Sequence, residues 1–317
     1  MKASSAAVQG ALAVAGLLAA YFTWQRPAED KDAVATVIDV TKSQLERIRY
    51  EDPKRVVELV TGRDGTWVRQ TERPPEPAVP APSESRPREY KANDSADRVV
   101  DSFTPLRALR SLGKLPDDKL AELGLAKSER RLEVAARGAT WRLRLASADA
   151  NEANAPPAPY ALNEEDGRVY LLRGTLLSDL EFAASRLVDR RLHAFRDDEW
   201  DSVRIRTGAQ ERRLTKSGDK LVAPNGAADE FASNWHGRLW KEVAVDVLGR
   251  GEKPAAGEPE VQVRVDYLRG DREVGFIELG RAGDDVFART EHTAGWARLQ
   301  GGADVLLRER EQVVAGN

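Results

Sequence analysis

The feature that most restricts how this chain can fold is an uncharged, mostly apolar run near its N-terminus, at residues 6–22. A helix rises about 1.5 Å per residue, so the run covers roughly 26 Å, close to the thickness of a bilayer's hydrocarbon core. Its far end carries aromatic residues whose rings favour the headgroup layer, namely Tyr21, Phe22 and Trp24. We therefore predict one membrane-anchoring helix with a short tail within residues 1–30.

Two pairs of small residues in this run have the spacing of four that lets helices approach closely. The pairs are Ala6 with Gly10 and Gly16 with Ala20, although chance alone gives this spacing in so alanine-rich a segment. A cleavable signal peptide is the main alternative, since it also has a positive start and an apolar middle, but its exit usually consists of small residues. A buried core helix is a third interpretation, which the terminal position disfavours.

The charges around the run bear on its orientation. Lys2 precedes it and Arg26 and Lys31 follow it, so the excess of Lys and Arg that marks a cytoplasmic flank is nearly balanced. A short tail before a large body usually leaves the tail in the cytoplasm. We therefore expect a single-pass protein of the inner (cytoplasmic) membrane whose C-terminal body is periplasmic.

The remaining composition is that of a globular body with a charged surface. The chain has 317 residues, enough for the anchor and for one large or two ordinary domains. Its 49 basic and 52 acidic residues are interleaved rather than clustered, so nucleic acid is not an expected partner. The absence of cysteine excludes disulfides, thiolate metal sites and cysteine nucleophiles.

A proline-rich insert at residues 71–89 interrupts the first half of the body. Its prolines are Pro74, Pro75, Pro77, Pro80, Pro82 and Pro87. Proline fixes φ and lacks a backbone donor, so we predict an extended loop or linker there. A proline-motif ligand is the alternative interpretation.

The order of the predicted elements recurs along the chain. Period-two alternation predicts similar strands near residues 45–50 and 200–206, and Asn93 and Asn225 each resemble a helix cap. Some such match arises in any chain of this class, but the shared order favours a duplication. We predict an α+β fold in which a transmembrane helix precedes two pseudo-repeated modules of antiparallel hairpins and sheets with packed helices. The modules would span residues 31–192 and 193–317.

Two helices of the first module are predicted from local patterns. Apolar residues at helical spacing from Val99 to Leu112 predict a helix after the first cap, which Pro105 should kink or split. Ser178 and Glu181 have the pattern of a capping box, so a second helix should run from there to about Leu192.

No catalytic, cofactor-binding or metal site is predicted. His193, His236 and His292 are isolated in sequence and lack metal-site spacing, which favours surface or packing roles. No serine-hydrolase elbow or phosphate-binding loop is present. The acidic groups at 164–166 and 197–199 lie beside turns, where solvated acids are the favoured interpretation over glycoside chemistry. We therefore expect a non-enzymatic protein without a cofactor.

Two tryptophans are candidate interaction residues. Phe231, Trp235 and Leu239 share one face of a predicted helix, and Trp240 begins to turn off that face. Core packing is the default interpretation. An exposed Trp240 would instead indicate a docking patch.

The order of several short motifs resembles a family known only as a domain of unknown function. The motifs lie at residues 65–67, 109–115, 122–125, 160–162, 169–172, 190–195 and 203–205. Members of that family are typically membrane-tethered and are often encoded beside ABC-transporter components similar to those of bacterial gliding-motility systems. The resemblance implies transporter or motility-complex subunits as partners and carries no catalytic residues. The proline-rich insert is longer than the family pattern leads us to expect.

These observations favour a non-enzymatic, membrane-anchored, extracytoplasmic auxiliary protein of an ABC-type transporter or gliding-motility-like envelope complex. The alternative is an extracytoplasmic ligand-binding module or hydrolase that acts on envelope polysaccharide or peptide. That alternative requires a deep cleft between the modules, lined by carboxylates and aromatic residues. A third interpretation is a structural spacer that uses the two modules for reach.

Overall fold

The computed structural model describes residues 34–73, 86–147 and 158–316. Its named strands pair antiparallel and form two large sheets and one small sheet. Strands account for 45% of the structure and helices for 20%, so the protein is mostly β and the predicted α+β class is wrong. The predicted membrane helix lies outside the described residues. Within the described ranges, no helix is both long and apolar enough to cross a membrane.

The first large sheet has nine strands, in the order β5-β4-β3-β2-β8-β9-β10-β11-β7. Their bounds are β2 (Leu45–Glu51), β3 (Arg55–Gly62), β4 (Gly65–Glu72), β5 (Arg88–Lys91), β7 (Arg110–Lys114), β8 (Arg131–Ala136), β9 (Ala139–Ser147), β10 (Pro159–Asn163) and β11 (Arg168–Leu171). The small sheet pairs β1 (Ala35–Ile38) with β6 (Leu106–Ala108).

The second large sheet has eight strands, in the order β14-β13-β12-β16-β17-β18-β19-β15. Their bounds are β12 (Ser202–Thr207), β13 (Gln210–Ser217), β14 (Lys220–Val222), β15 (Ala244–Val247), β16 (Glu260–Arg269), β17 (Arg272–Ala282), β18 (Asp285–Thr290) and β19 (Ala297–Leu299).

The described helices are short. They are α1 (Asp94–Ser102), α2 (Asp117–Glu122), α3 (Ser178–Glu181), α4 (Ala183–Arg186), α5 (Glu230–Trp240), α6 (Asp304–Arg308) and α7 (Arg310–Ala315). Helices α5 and α7 pack against strands β12 to β14, and α4 packs against β4.

Both large sheets follow one connection pattern. In each sheet a first meander precedes a helix, with four strands (β2 to β5) in the first sheet and three (β12 to β14) in the second. Its first strand pairs with the first strand of a four-stranded second meander, β2 with β8 and β12 with β16. The strand between the helix and the second meander returns to the far edge, so that β7 pairs with β11 and β15 with β19. As a result, β15 ends the second sheet in the way that β7 ends the first.

Alternation with period two gives each sheet an apolar face and a charged face. In β2, Ile48 and Tyr50 are buried while Arg49 points the other way, 3.3 Å from Glu58 of β3. The apolar faces and the helices share one continuous core that extends through both halves of the chain. Because both sheets pack on one core, the positions of their facing edge strands, β5 and β15, are also fixed relative to each other.

The charged face of the second sheet is a lattice of ion pairs. Asp266 is fully buried and accepts hydrogen bonds from Arg204 at 3.0 Å, Arg206 at 2.6 Å and Arg264 at 2.6 Å. Burial alone would raise the pKa of Asp266, but the hydrogen bonds from Arg264 and Arg204 outweigh it and lower that pKa. Interleaved arginines and acids therefore pair with each other here, as their sequence pattern indicates.

The predicted helix from Val99 to Leu112 is wrong in its second half. Asn93 caps α1 by accepting from the amide of Ser95 at 2.9 Å, but the helix ends at Ser102. Pro105 lacks a backbone donor and disfavours helical geometry in the residue before it. The chain beyond it therefore enters strands β6 and β7.

Two other predicted helix boundaries also differ. Helix α5 is capped by Asp229, which accepts from the amide of Ala232 at 2.8 Å, whereas Asn225 accepts from Ala227 within the preceding turn. The helix predicted from Ser178 to about Leu192 breaks at Phe182, whose φ of −115° and ψ of 33° separate α3 from α4. The chain then runs as an extended connection to the second sheet, which positions the site described next.

Candidate functional site

A cleft lies between the two large sheets and contains two cavities, of about 200 Å³ and about 630 Å³. Both cavities are lined by Val188 and Arg190, which belong to the connection between the sheets. One wall comes from β4, β5 and the start of α1. The other wall comes from Glu242, Val243, Asp246 and Val247, where α5 leads into β15. Both halves of the chain therefore present side chains to the same space.

Backbone hydrogen bonds hold this region against the outer edge of the first sheet. The amide of Asp189 donates to the carbonyl of Lys91 at 2.9 Å. From the second half, the amide of Arg250 donates to the carbonyl of Glu89 at 2.9 Å. Because β5 is the last strand of its sheet, these bonds satisfy groups that would otherwise form an exposed edge.

Asp189 joins the connection to the second half of the chain through a hydrogen bond with His292. Its side chain is 3% exposed and accepts hydrogen bonds from Nε2 of His292 at 2.8 Å and from the guanidinium of Arg191 at 2.7 Å. Burial alone would raise the pKa of Asp189, but the bonds from His292 and Arg191 hold it well below its usual range. An ionised carboxylate can only accept, so Nε2 of His292 must carry a proton.

The two walls of the cleft carry opposite charge. Arg86, Arg98 and Arg190 line the side formed by the first half and the connection, and none of them forms an ion pair with a described carboxylate. Glu242 and Asp246 line the side formed by the second half. Burial raises the pKa of Glu242.

The carboxylates on the arginine side have basic neighbours of their own. Asp94 lies 3.6 Å from the guanidinium of Arg191. Glu72 is close enough to Arg88 to contribute to the raised pKa of that guanidinium, although burial of Arg88 is the largest influence and acts in the opposite direction. Arg190 is therefore the charged residue that lines both cavities, while Arg86 lines the smaller one and Arg98 the larger one.

Strand β15 borders the cleft along its edge. Successive strand residues point to opposite faces of a sheet, yet Asp246 and Val247 of β15 both line the smaller cavity. Glu242 and Val243, which directly precede the strand, line the larger one. The cavities therefore follow the edge of the strand rather than one face. Val243 and Val245 are 55% and 38% exposed, and β15 pairs with β19 on one side only.

Neither candidate tryptophan lines the two cavities of the cleft. Trp235 is fully buried and donates from Nε1 to the carbonyl of Leu306 at 3.0 Å, so it packs in the core and offers no contact surface. Trp240 is half-buried, and its ring is stacked between His193 at 5.1 Å and His236 at 6.1 Å. The structure thus places Trp240 in an aromatic cluster.

Three buried polar atoms in this aromatic cluster have no hydrogen-bond partner among the described residues. They are Nε2 of His236, Nε1 of Trp200 and the hydroxyl of Tyr267. Burial lowers the pKa of His236 to about 4, because the charged imidazolium would lose its hydration there. The cluster therefore favours a neutral imidazole at position 236.

Each acidic group that the sequence offered for catalysis contains a residue that is paired with a base. Glu164 lies 2.8 Å from Arg144, and Asp197 lies 2.6 Å from Lys216. Throughout the described ranges, no group of three or more His, Asp or Glu side chains has the arrangement of a metal site. The predicted anchor residues lie outside the described residues, and they are Ala6, Gly10, Gly16, Ala20, Tyr21, Phe22 and Trp24.

The cleft and its edge strand were not predicted from the sequence. The available signal was the alternation of Val243, Val245 and Val247 with other residues, which is typical of a strand. No family model matches the chain, and no curated protein matches it significantly.

Proposed function

We propose that this chain is a non-enzymatic, membrane-anchored auxiliary protein of an ABC-type transporter or gliding-motility-like envelope complex. In this proposal the body is periplasmic and holds a segment of a partner subunit in the cleft between its two sheets. The supporting observation is that two adjoining cavities share Val188 and Arg190 and are lined from both halves of the chain. Two adjoining spaces that are lined from both halves suit a stretch of polypeptide.

A second candidate is a module that binds envelope polysaccharide or peptide fragments. Carboxylates line the cleft, and Tyr90 supplies an aromatic ring in the smaller cavity, which are the features that this candidate requires. However, that cavity holds about 200 Å³, below the roughly 300–1,000 Å³ of a typical small-molecule site. The larger cavity, of about 630 Å³, falls within that range but is open to solvent. The two adjoining spaces together therefore suit a chain segment that passes through both.

Affinity purification of the full-length protein from membranes in mild detergent, with mass spectrometry, tests this function. We expect near-stoichiometric transporter or motility-complex subunits with the wild type. Arg190→Glu should lose them because it reverses the charge common to both cavities. Arg272→Glu, at an exposed position outside the cavities, should retain them.

A solitary wild-type protein, or equal recovery by both variants, would contradict the proposed role of the cleft. Membrane fractionation tests the anchor separately. Full-length protein in the soluble fraction would contradict the membrane-anchored part of the proposal.

A further inference from the structure

We propose that the cleft binds its partner segment as an added β-strand on the free edge of β15, with acidic side chains of that segment facing the arginine wall. This inference rests on the proposed function and specifies the chemistry of the partner. It predicts an extended peptide that supplies backbone donors and acceptors as well as carboxylates.

The first support is the difference between the two sheet edges that meet at the cleft. The edge of β5 is already covered, because Lys91 and Glu89 accept hydrogen bonds from Asp189 and Arg250. The edge of β15 has no strand partner among the described residues. Unpaired backbone groups on an edge strand are a template for another strand, so β15 is the edge that can accept one.

The second support is the shape of the space beside β15. An added strand would lie about 4.8 Å from β15, and four residues would extend for about 13 Å. The cavities occupy this position, since consecutive residues of β15 and of the segment before it line them. The exposed side chains of Val243 and Val245 would provide aliphatic contacts to the added strand.

The third support is charge. A strand seated on β15 would lie between Glu242 and Asp246 on its own side and Arg86, Arg98 and Arg190 on the opposite wall. Arginine recognises carboxylates through paired N–H donors. The segment should therefore carry acidic side chains where it passes Arg190, and a basic segment should be rejected.

The experiment uses the full chain and a displayed library of random peptides as the probe. Selection on the wild type should enrich acidic sequences without proline, because proline cannot donate to a ladder. A synthetic peptide of the enriched sequence is then compared with the same peptide carrying N-methyl groups on alternate residues. Loss of those donors should weaken binding by about tenfold or more.

Two variants locate the binding on the protein. The β15–β19 register is irregular between Ala244 and Asp246, so Val245 has no partner in that ladder. Val245→Pro should therefore preserve the sheet but remove a backbone donor of β15, and it should weaken peptide binding by about tenfold. Val245→Ala keeps the donor and should have a smaller effect. If Val245→Pro fails to fold, the N-methylated peptide still tests strand addition, and Arg190→Glu locates the binding through charge.

Each outcome bears on the inference in a defined way. Equal affinity for the N-methylated peptide would overturn strand addition while leaving the cleft as a binding site. Selection of basic peptides, or failure to enrich any peptide over Arg190→Glu, would overturn the assigned partner chemistry. Dimerisation that Val245→Pro abolishes would assign the edge to a second copy. Stronger peptide binding after deletion of residues 74–85 would assign the edge to the chain's own insert.

Discussion

The buried carboxylate of Asp189 gives the strongest prediction about how the two halves are held together. Asparagine in its place keeps the side-chain shape but removes the charge that His292 and Arg191 face at 2.8 Å and 2.7 Å. A hydrogen bond to a charged group contributes about 1.5–3 kcal/mol. Because Arg191 is 58% exposed, water replaces part of its contribution. We expect Asp189→Asn to lower the free energy of unfolding by about 2–3 kcal/mol.

The size of this effect depends on pH in a direction set by the pKa. The pKa of Asp189 in the folded protein lies below its ordinary value of 3.8. Its stabilising contribution is therefore fully present above that ordinary value and is lost as the pH falls through the folded-state pKa. The wild type and Asp189→Asn should differ at pH 7 and converge in strong acid.

Urea unfolding of the full chain, followed by tryptophan fluorescence, measures both effects. Asp198→Asn is the matched control, since Asp198 also pairs with an arginine, at 3.1 Å, but its side chain is 72% exposed. The control should remain within about 0.5 kcal/mol of the wild type. Equal unfolding free energies for the two variants at pH 7 would refute the role assigned to Asp189.

Other predictions concern the core, the aromatic cluster and the cleft loop. The pKa of His236 falls to about 4 on folding from an ordinary 6.5. The contribution of His236 to the free energy of unfolding should therefore drop by about 3 kcal/mol as the pH falls from 6.5 to 4. His236→Phe should flatten this dependence in urea titrations. Trp235→Ala should cost about 3–5 kcal/mol through the cavity that it leaves, and an unfolding free energy near that of the wild type would contradict its place in the core. A Cβ on Gly295 would approach the carbonyl oxygen of Gly249 to 2.6 Å, so Gly295→Ala should lower the melting temperature and weaken binding in the cleft. Gly237→Ala, whose Cβ would meet nothing within 4 Å, should instead add about 0.5–1 kcal/mol to α5, which differential scanning calorimetry of the two glycine variants would detect.

Local sequence patterns predicted the strands well where neighbours along the chain determine the structure. The alternation near residues 45–50 and 200–206 corresponds to β2 and β12, because period-two burial is a property of the strand itself. The same reasoning failed at Leu106 and Leu112, whose spacing fits a helix. Pro105 intervenes there, and pairing with β1 and β11 determines the backbone instead.

The cleft could not be predicted in this way because its parts are distant in sequence. Asp189 and His292 are 103 residues apart, and no local motif joins them. The walls at Arg86 and Asp246 come together only once both sheets share a core. The composition correctly indicated paired arginines and acids, but the positions of the remaining arginines depend on tertiary packing.

The stretch from Val188 to Leu192 lies in the covalent connection between the sheets and also lines the cleft. Force applied to a segment seated there would reach both sheets at the same point. A pull along the axis of an added strand would load its hydrogen bonds to β15 together, in shear, instead of opening them one by one. Under the proposed role in an envelope complex, this part of the protein would transmit tension from the bound segment to both sheets.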